Sequence, residues 1–197
     1  TFQVWPESFR RPGIQRPGSW TYGDNYQNWG LVETASALPG APNELSMYVT
    51  EAYKSQFAKE PDPESGVYVS ESDPDTPELV NRLRRYNIRI DGFVSVRARR
   101  SGGALVTRPL IFEGERLEIN FSTSAAGSVA VEIQDLDGGP IPGFALEDCH
   151  PQFGDQLDRT VSWRSNSEVG KLAGKPVRLR FDLKDADLYS FRFPESA

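Results

Sequence analysis

Apolar and polar residues alternate with a period of two along much of this chain, the mark of strands with one buried face. Leu45, Met47 and Val49 alternate with Ser46, Tyr48 and Thr50. Tyr86, Ile88 and Ile90 alternate with Asn87 and Arg89, and Val94, Val96 and Ala98 with Ser95, Arg97 and Arg99. The same pattern returns at Leu117-Ile119-Phe121, Val129-Val131-Ile133 and Val177-Leu179-Phe181-Leu183, and closes at Tyr189-Phe191-Phe193. Turn formers separate the runs: Asp91-Gly92, Gly102-Gly103, Asp137-Gly138-Gly139 and Ala173-Gly174-Lys175-Pro176. Helical periodicity is almost absent. Many short strands divided by such turns predict an all-β chain, an antiparallel sandwich or a related form.

The Asp91-Gly92 turn permits a register test. A three-residue loop over 91–93 pairs Ile90 with Val94, Ile88 with Val96 and Tyr86 with Ala98, so like faces meet. Phe93 is a poor residue for the left-handed position such a loop needs. The alternative is no hairpin, with the chain crossing from one sheet or domain to the next near Gly92.

Composition divides the chain into three parts. Residues 1–53 are rich in aromatics and turns, and hold Trp5, Trp20 and Trp29. Residues 54–81 carry seven carboxylates and Pro61, Pro63, Pro74 and Pro77, a mixture that cannot bury a core and reads as an exposed insertion. Residues 92–197 hold the densest strand pattern and are read as a complete sandwich. The domain reading is therefore 1–91, with its acidic insertion 54–81, followed by 92–197.

Charge and rare residues exclude several functions. A net charge of −6 argues against nucleic acid as a partner. No apolar run approaches the ~18 residues of a membrane span. A single cysteine, Cys149, rules out an internal disulfide framework, and a single histidine, His150, rules out a multi-histidine metal cage. Cys149-His150-Pro151 is a poor nucleophile neighbourhood, because adjacent residues of an extended chain point apart and no second histidine can serve as base. The first residue is Thr1 and the only methionine is Met47, so the chain is expected to be a piece of something longer.

Four constellations could carry chemistry. The first is the stretch from Trp20 to Trp29, expected as a loop because of Gly23 and Gly30. Aromatic rings cover the apolar C–H faces of sugars, and amides and carboxylates hold their hydroxyls. Trp20, Tyr22, Tyr26 and Trp29 are the stacking candidates; Asp24, Glu33 and Glu51 are the hydrogen-bonding ones. The same aromatics could instead pack this segment onto the sandwich. The second is Glu33, Glu44 and Glu51 as a pair of hydrolytic carboxylates, which need a separation of about 5–10 Å across one bond. Solvated or arginine-paired glutamates are the plainer reading. The third is Glu132, Asp135, Asp137, Glu147, Asp148 and Asp155 around the Gly138–Phe144 loop. There Asp135, Asp137 and Asp148 could hold a structural calcium, although an acidic rim in water serves equally. The fourth is arginine, which outnumbers lysine 17 to 5, with seven between 82 and 100. Guanidinium grips carboxylate or sulfate in a fork, so an acidic polysaccharide is one partner and the acids of 54–81 another.

Two ordered series carry a family likeness. The first is Asn28-Trp29-Gly30-Leu31-Val32-Glu33-Thr34, Asn43-Glu44-Leu45-Ser46-Met47-Tyr48, then Leu83-Arg84-Arg85-Tyr86 through Asp91-Gly92-Phe93-Val94-Ser95-Val96. The second includes Leu105-Val106-Thr107-Arg108-Pro109-Leu110, Asn120-Phe121-Ser122-Thr123-Ser124-Ala125-Ala126-Gly127, Ile141-Pro142-Gly143-Phe144, Leu146-Glu147-Asp148-Cys149 and Asp185-Ala186-Asp187-Leu188-Tyr189-Ser190-Phe191. Together they resemble the C-terminal part of bacterial proteins similar to glycoside hydrolase family 32. That resemblance implies strands of a last propeller blade in 1–53 and 82–91, and a jelly-roll or concanavalin-like β-sandwich in 92–197. It places the catalytic carboxylates in earlier blades, so no catalytic residue carries over to this chain. It implies a non-catalytic region of a carbohydrate-active enzyme, with carbohydrate and the remaining propeller of the same protein as partners. It also implies a secreted or periplasmic location, and no cofactor beyond the calcium option. A fragment of a complete glycosidase hydrolysing O-glycosidic bonds, and a purely structural assembly module, are the competing readings.

Overall fold

The computed structural model describes residues 25–51, 82–164 and 167–195. Trp20, Tyr22, Asp24 and the acidic 54–81 segment lie outside the described residues. The described chain is mostly antiparallel β-sheet and divides into two compact units, Thr1–Ile90 and Asp91–Ala197.

The first unit contains β1 (Asn25–Gln27), β2 (Val32–Thr34), β3 (Glu44–Glu51) and β4 (Arg82–Arg89). β4 runs antiparallel along the whole of β3, from Glu44 opposite Arg89 to Glu51 opposite Arg82. β1 and β2 therefore share the other edge of β3, pairing Gln27 with Val49 and Val32 with Ser46. Four residues, Asn28 to Leu31, span what two residues span on β3. They form a bulge, which Gly30 permits by taking a left-handed backbone (φ 92°). The aromatic stretch is thus an interrupted edge strand from Asn25 on, where a loop was expected.

The second unit contains β5 (Val96–Ala98), β6 (Gly103–Val106), β7 (Glu118–Gln134), β8 (Asp155–Thr160) and β9 (Arg178–Arg192). The long strands β7 and β9 pair along their whole length; β5 and β6 share the outer edge of β9, and β8 pairs with the start of β7. Beyond β8, the chain from Pro140 to Gln152 lies beside the rest of β7, with Ile141 N–H bonding Ile133 O at 2.9 Å. The hairpin register read from Ile88 and Val96 does not form. β4 pairs with β3 and β5 with β9, so the chain crosses between sheets, and Asp91 takes the left-handed turn position (φ 57°) that Phe93 fits poorly.

The alternation predicted for these strands is what builds the core. Leu117, Ile119, Phe121, Val129, Val131 and Ile133 meet Leu179, Phe181, Leu183, Ala186 and Leu188 in one buried cluster. The buried face of β9 switches from odd to even positions at Asp185, whose φ is 43°. It switches back at Tyr189, where Asn120 pairs with Ser190 but Phe121 with Leu188. Connections complete the cluster. Phe112 stacks on Phe193 with ring centroids 3.9 Å apart, and Phe144 meets Trp163 edge-on at 5.1 Å. The Trp163 indole donates to Val131 O at 2.8 Å, which satisfies its only polar atom inside the core.

Candidate functional site

Residues directly opposite on antiparallel strands share a face of the sheet. In the first unit the register places Tyr26, Val32, Thr34, Glu44, Ser46, Tyr48, Thr50, Arg85 and Asn87 on one face. Gln27, Glu33, Leu45, Met47, Val49 and Ile88 lie on the other, where Met47 and Val49 are buried. A polar network holds the first face together. Thr34 Oγ1 and Ser46 Oγ lie 2.7 Å apart, and Ser46 is completely buried. Arg85 Nε donates to Ser46 Oγ at 2.8 Å, and its Nη2 donates to Thr34 Oγ1 at 3.0 Å and Ala35 O at 3.2 Å. The Glu44 carboxylate accepts from Ser36 Oγ at 3.1 Å and from Asn87 Nδ2, and Arg85 Nη2 lies 3.8 Å away. Arg85 thereby joins β2, β3 and β4 through one planar group.

Aromatic rings stand beside this network. Tyr26 and Tyr48 are both exposed on the same face, and Trp29 is fully exposed on the bulge, with Asn28 N–H anchored to Tyr48 O at 2.9 Å. Leu31, Val32 and Leu38 are exposed on the same stretch of chain. An exposed tryptophan leaves a large apolar ring in water, which makes its position informative. The surface offers stacking faces, hydroxyls and an amide, the set that a sugar ring requires.

The structure does not bring the glutamates together. Glu33 and Glu44 face opposite sides of the sheet. Glu33 accepts from Asn43 Nδ2 at 2.8 Å, while Glu44 belongs to the arginine network. Glu33 lies opposite Leu45 and Glu51 closes the far end of β3, six residues and roughly 20 Å along the strand. No two of these backbone positions set a carboxylate pair across one glycosidic bond.

The acidic residues of the second unit also separate. Asp135 Oδ1 accepts from Asp137 N at 3.0 Å and Gly139 N at 2.8 Å, which fixes the turn after β7. Asp148 forms a 2.5 Å ion pair with Arg164. Glu132 is not on a solvated rim. It is 6% exposed and accepts from Gln134 Nε2 at 2.8 Å and Leu146 N at 3.1 Å. Among the described residues no group of three or more His, Cys, Asp or Glu side chains could hold a metal ion. Cys149 is buried, and burial pushes its thiol up from the ordinary value, opposed by the Val131 N–H that donates to Sγ at 3.2 Å. His150 Nε2 lies 2.5 Å from Arg164 O, so its ring is tied to backbone and not to the thiol.

Of the Arg85 network only Glu44 stood out in the sequence, with an arginine partner as its plainer reading, while Thr34, Ser46 and Arg85 looked like ordinary polar strand positions. The spacing of Thr34, Ser46 and Arg85 carries no signal until the β2–β3–β4 register is known. No protein-family model, curated protein or solved structure matches the chain. Among the described residues no helix is long and apolar enough to cross a membrane.

Proposed function

We propose that this chain is a non-catalytic, glycan-binding region of a carbohydrate-active protein, with the bulge between β1 and β2 as the contact surface. The observation that carries this reading is the fully exposed Trp29 on the bulge that Gly30 permits, with Tyr26 and Tyr48 exposed on the strands that border that bulge. Pyranose rings stack on such indole faces, and the hydroxyls of Tyr26 and Tyr48 lie on the neighbouring surface. The separation of Glu33, Glu44 and Glu51 supports binding over hydrolysis. The sheet of β1–β4 is three strands wide, one fewer than a whole propeller blade, and β5–β9 form one five-stranded sheet, so the blade and sandwich readings rest on the resemblance. The place beside the rest of a propeller and the role outside the cytoplasm follow from the likeness to glycoside hydrolase family 32.

Titrating the 197-residue chain with neutral oligosaccharides, followed by tryptophan fluorescence, tests this. Wild type should bind, and Trp29→Ala should weaken binding tenfold or more with an unchanged melting temperature. No binding by wild type, or equal binding by the variant, overturns the reading.

The run of exposed Tyr26, Trp29, Leu31, Val32 and Leu38 favours one second reading, a docking face for another protein chain. Sedimentation with and without the rest of the parent protein separates the two. A docking face loses association on Trp29→Ala and binds no sugar.

A further inference from the structure

In β9, Leu179 and Phe181 are buried in the core, so Arg178 and Arg180 project from the opposite face of the sheet. Their neighbours on β7 are Gln134, opposite Arg178, and Glu132, opposite Arg180. Val106 of β6 lies opposite Arg180 on the other side, and the chain continues to Arg108 after Thr107 N–H bonds Leu179 O.

The natural expectation is an ion pair between Glu132 and Arg180. The structure shows another arrangement. The Glu132 carboxylate turns to the Gln134 amide and the Leu146 N–H, 2.8 and 3.1 Å away. The Nε atoms of Arg178 and Arg180 are buried and have no hydrogen-bond partner. Among the described residues no ion pair joins Arg108, Arg178 or Arg180 to a carboxylate, whereas Arg85, Arg97, Arg164 and Arg192 each have one. A buried N–H donor without an acceptor is costly to keep, and two on one strand face mark a place where an acceptor is missing.

We propose that Arg178 and Arg180 form a binding site for the carboxylate of an acidic sugar. Three features select this chemistry. The two Nη atoms of a guanidinium form a planar fork that matches the two oxygens of a carboxylate, and in Arg178 and Arg180 it is Nε, not this fork, that is covered. Glu132 and Asp182, which share this face of the sheet, add two negative formal charges beside the two guanidiniums, so the face suits a singly charged group better than a phosphate dianion. Val106, opposite Arg180, and Ala104, opposite Asp182, are exposed on β6 and offer an apolar floor for the C–H face of the ring. The net charge of −6 disfavours a nucleic acid as the source of the anion. The inference rests on the carbohydrate reading above but uses a different sheet and different residues.

The experiment compares trigalacturonate, its methyl ester and inorganic phosphate as ligands of the 197-residue chain, read by calorimetry. Trigalacturonate should bind at least tenfold more tightly than its ester, and phosphate should compete poorly. The double variant R178Q/R180Q should weaken trigalacturonate binding by tenfold to a hundredfold, and R178K/R180K, which keeps the charge but loses the fork, by about tenfold. R100Q, at an exposed turn arginine, should bind as wild type does. Circular dichroism confirms that each variant is folded, and the lysine pair decides if the glutamine pair is not. Equal affinity for acid and ester, equal competition by phosphate, or unchanged binding by the folded variants overturns the proposal. Loss of neutral-glycan binding in Trp29→Ala with trigalacturonate binding intact shows two separate sites. Neutral-glycan binding without any trigalacturonate binding ends this proposal and leaves the first reading standing.

Discussion

The two sheets are built on opposite principles. In the second unit, twenty described residues from strands and connections join one apolar cluster in which Trp163 and Asn120 have local partners, while the covered Nε atoms of Arg178 and Arg180 lie on the opposite face of the sheet. In the first, the described residues bury Met47 and Val49 on one face, while the other is organised by hydrogen bonds around Arg85 and the buried Ser46. An apolar core gains free energy roughly in proportion to area and tolerates no water. A hydrogen-bonded face gains little net energy but fixes geometry, which a recognition surface needs. The difference teaches how each sheet is held: the second by one apolar cluster, the first by hydrogen bonds that fix the geometry of one face.

The sharpest way to break this comparison is to empty the apolar core. Phe181 is fully buried between Phe191 and the β7 side chains. Phe181→Ala should cost about 3–5 kcal/mol, measured by urea unfolding of the chain. A loss below 1 kcal/mol would mean that the cluster is not one cooperative core.

A smaller effect is expected where β7 and β9 bulge together. Five steps on β7, from Thr123 to Ser128, oppose two on β9, from Lys184 to Ala186. A side chain at Gly127 would run into the backbone carbonyl oxygens of Asp185 and Lys184, which cannot yield as a flexible side chain does. Gly127→Ala should therefore cost about 1–3 kcal/mol, read as a fall in melting temperature. The variant should be as stable as wild type only if the bulge is absent.

This bulge also shows what was legible in the sequence and what was not. Leu117-Ile119-Phe121 and Val129-Val131-Ile133 were visible as alternating runs because burial of one strand face imposes period two. Gly127 and its polar neighbours hid the fact that the two runs are one strand. Likewise Leu179-Phe181-Leu183 and Phe191 belong to one strand whose core face switches at Asp185 and Tyr189, and a bulge leaves no periodic trace. β8 was missed altogether: Asp155-Gln156-Leu157-Asp158-Arg159-Thr160 lies at an edge, mostly in water, so nothing selects apolar alternation. At the site, the exposed Trp29 and Tyr26 could be named in advance because aromatics stand out by type. The faces of Glu33, Glu44 and Arg85 could not, since one residue of register decides them.

The polar network of the first sheet gives the next effect in size. Arg85 is partly exposed and makes three hydrogen bonds and a loose ion pair with Glu44. Removing it frees Thr34 and Ser46 to keep only each other. Arg85→Ala should cost about 1–2 kcal/mol and speed amide exchange in Val32–Thr34 well before that in β7. Uniform acceleration across both units would deny the first sheet an organisation of its own.

The smallest effect tests how strictly the apolar core excludes charge. Cys149 lies in the core cluster, and burial raises its thiol above the ordinary value of 9.0. Below pH 9.0 the thiol is neutral in folded and unfolded chains alike, and its contribution to stability is fully present. Above that pH the unfolded chain releases the proton first. The folded state binds more protons in that window, so stability falls as pH rises toward the raised folded value. Other alkaline groups titrate equally in wild type and Cys149→Ala, so the difference between their unfolding free energies isolates the thiol. That difference should stay constant from neutral pH to about 8.5 and then shift against wild type as pH rises. A difference that stays flat to pH 11 would mean that water reaches the thiol in the folded state, and that the core is less closed than its side chains imply.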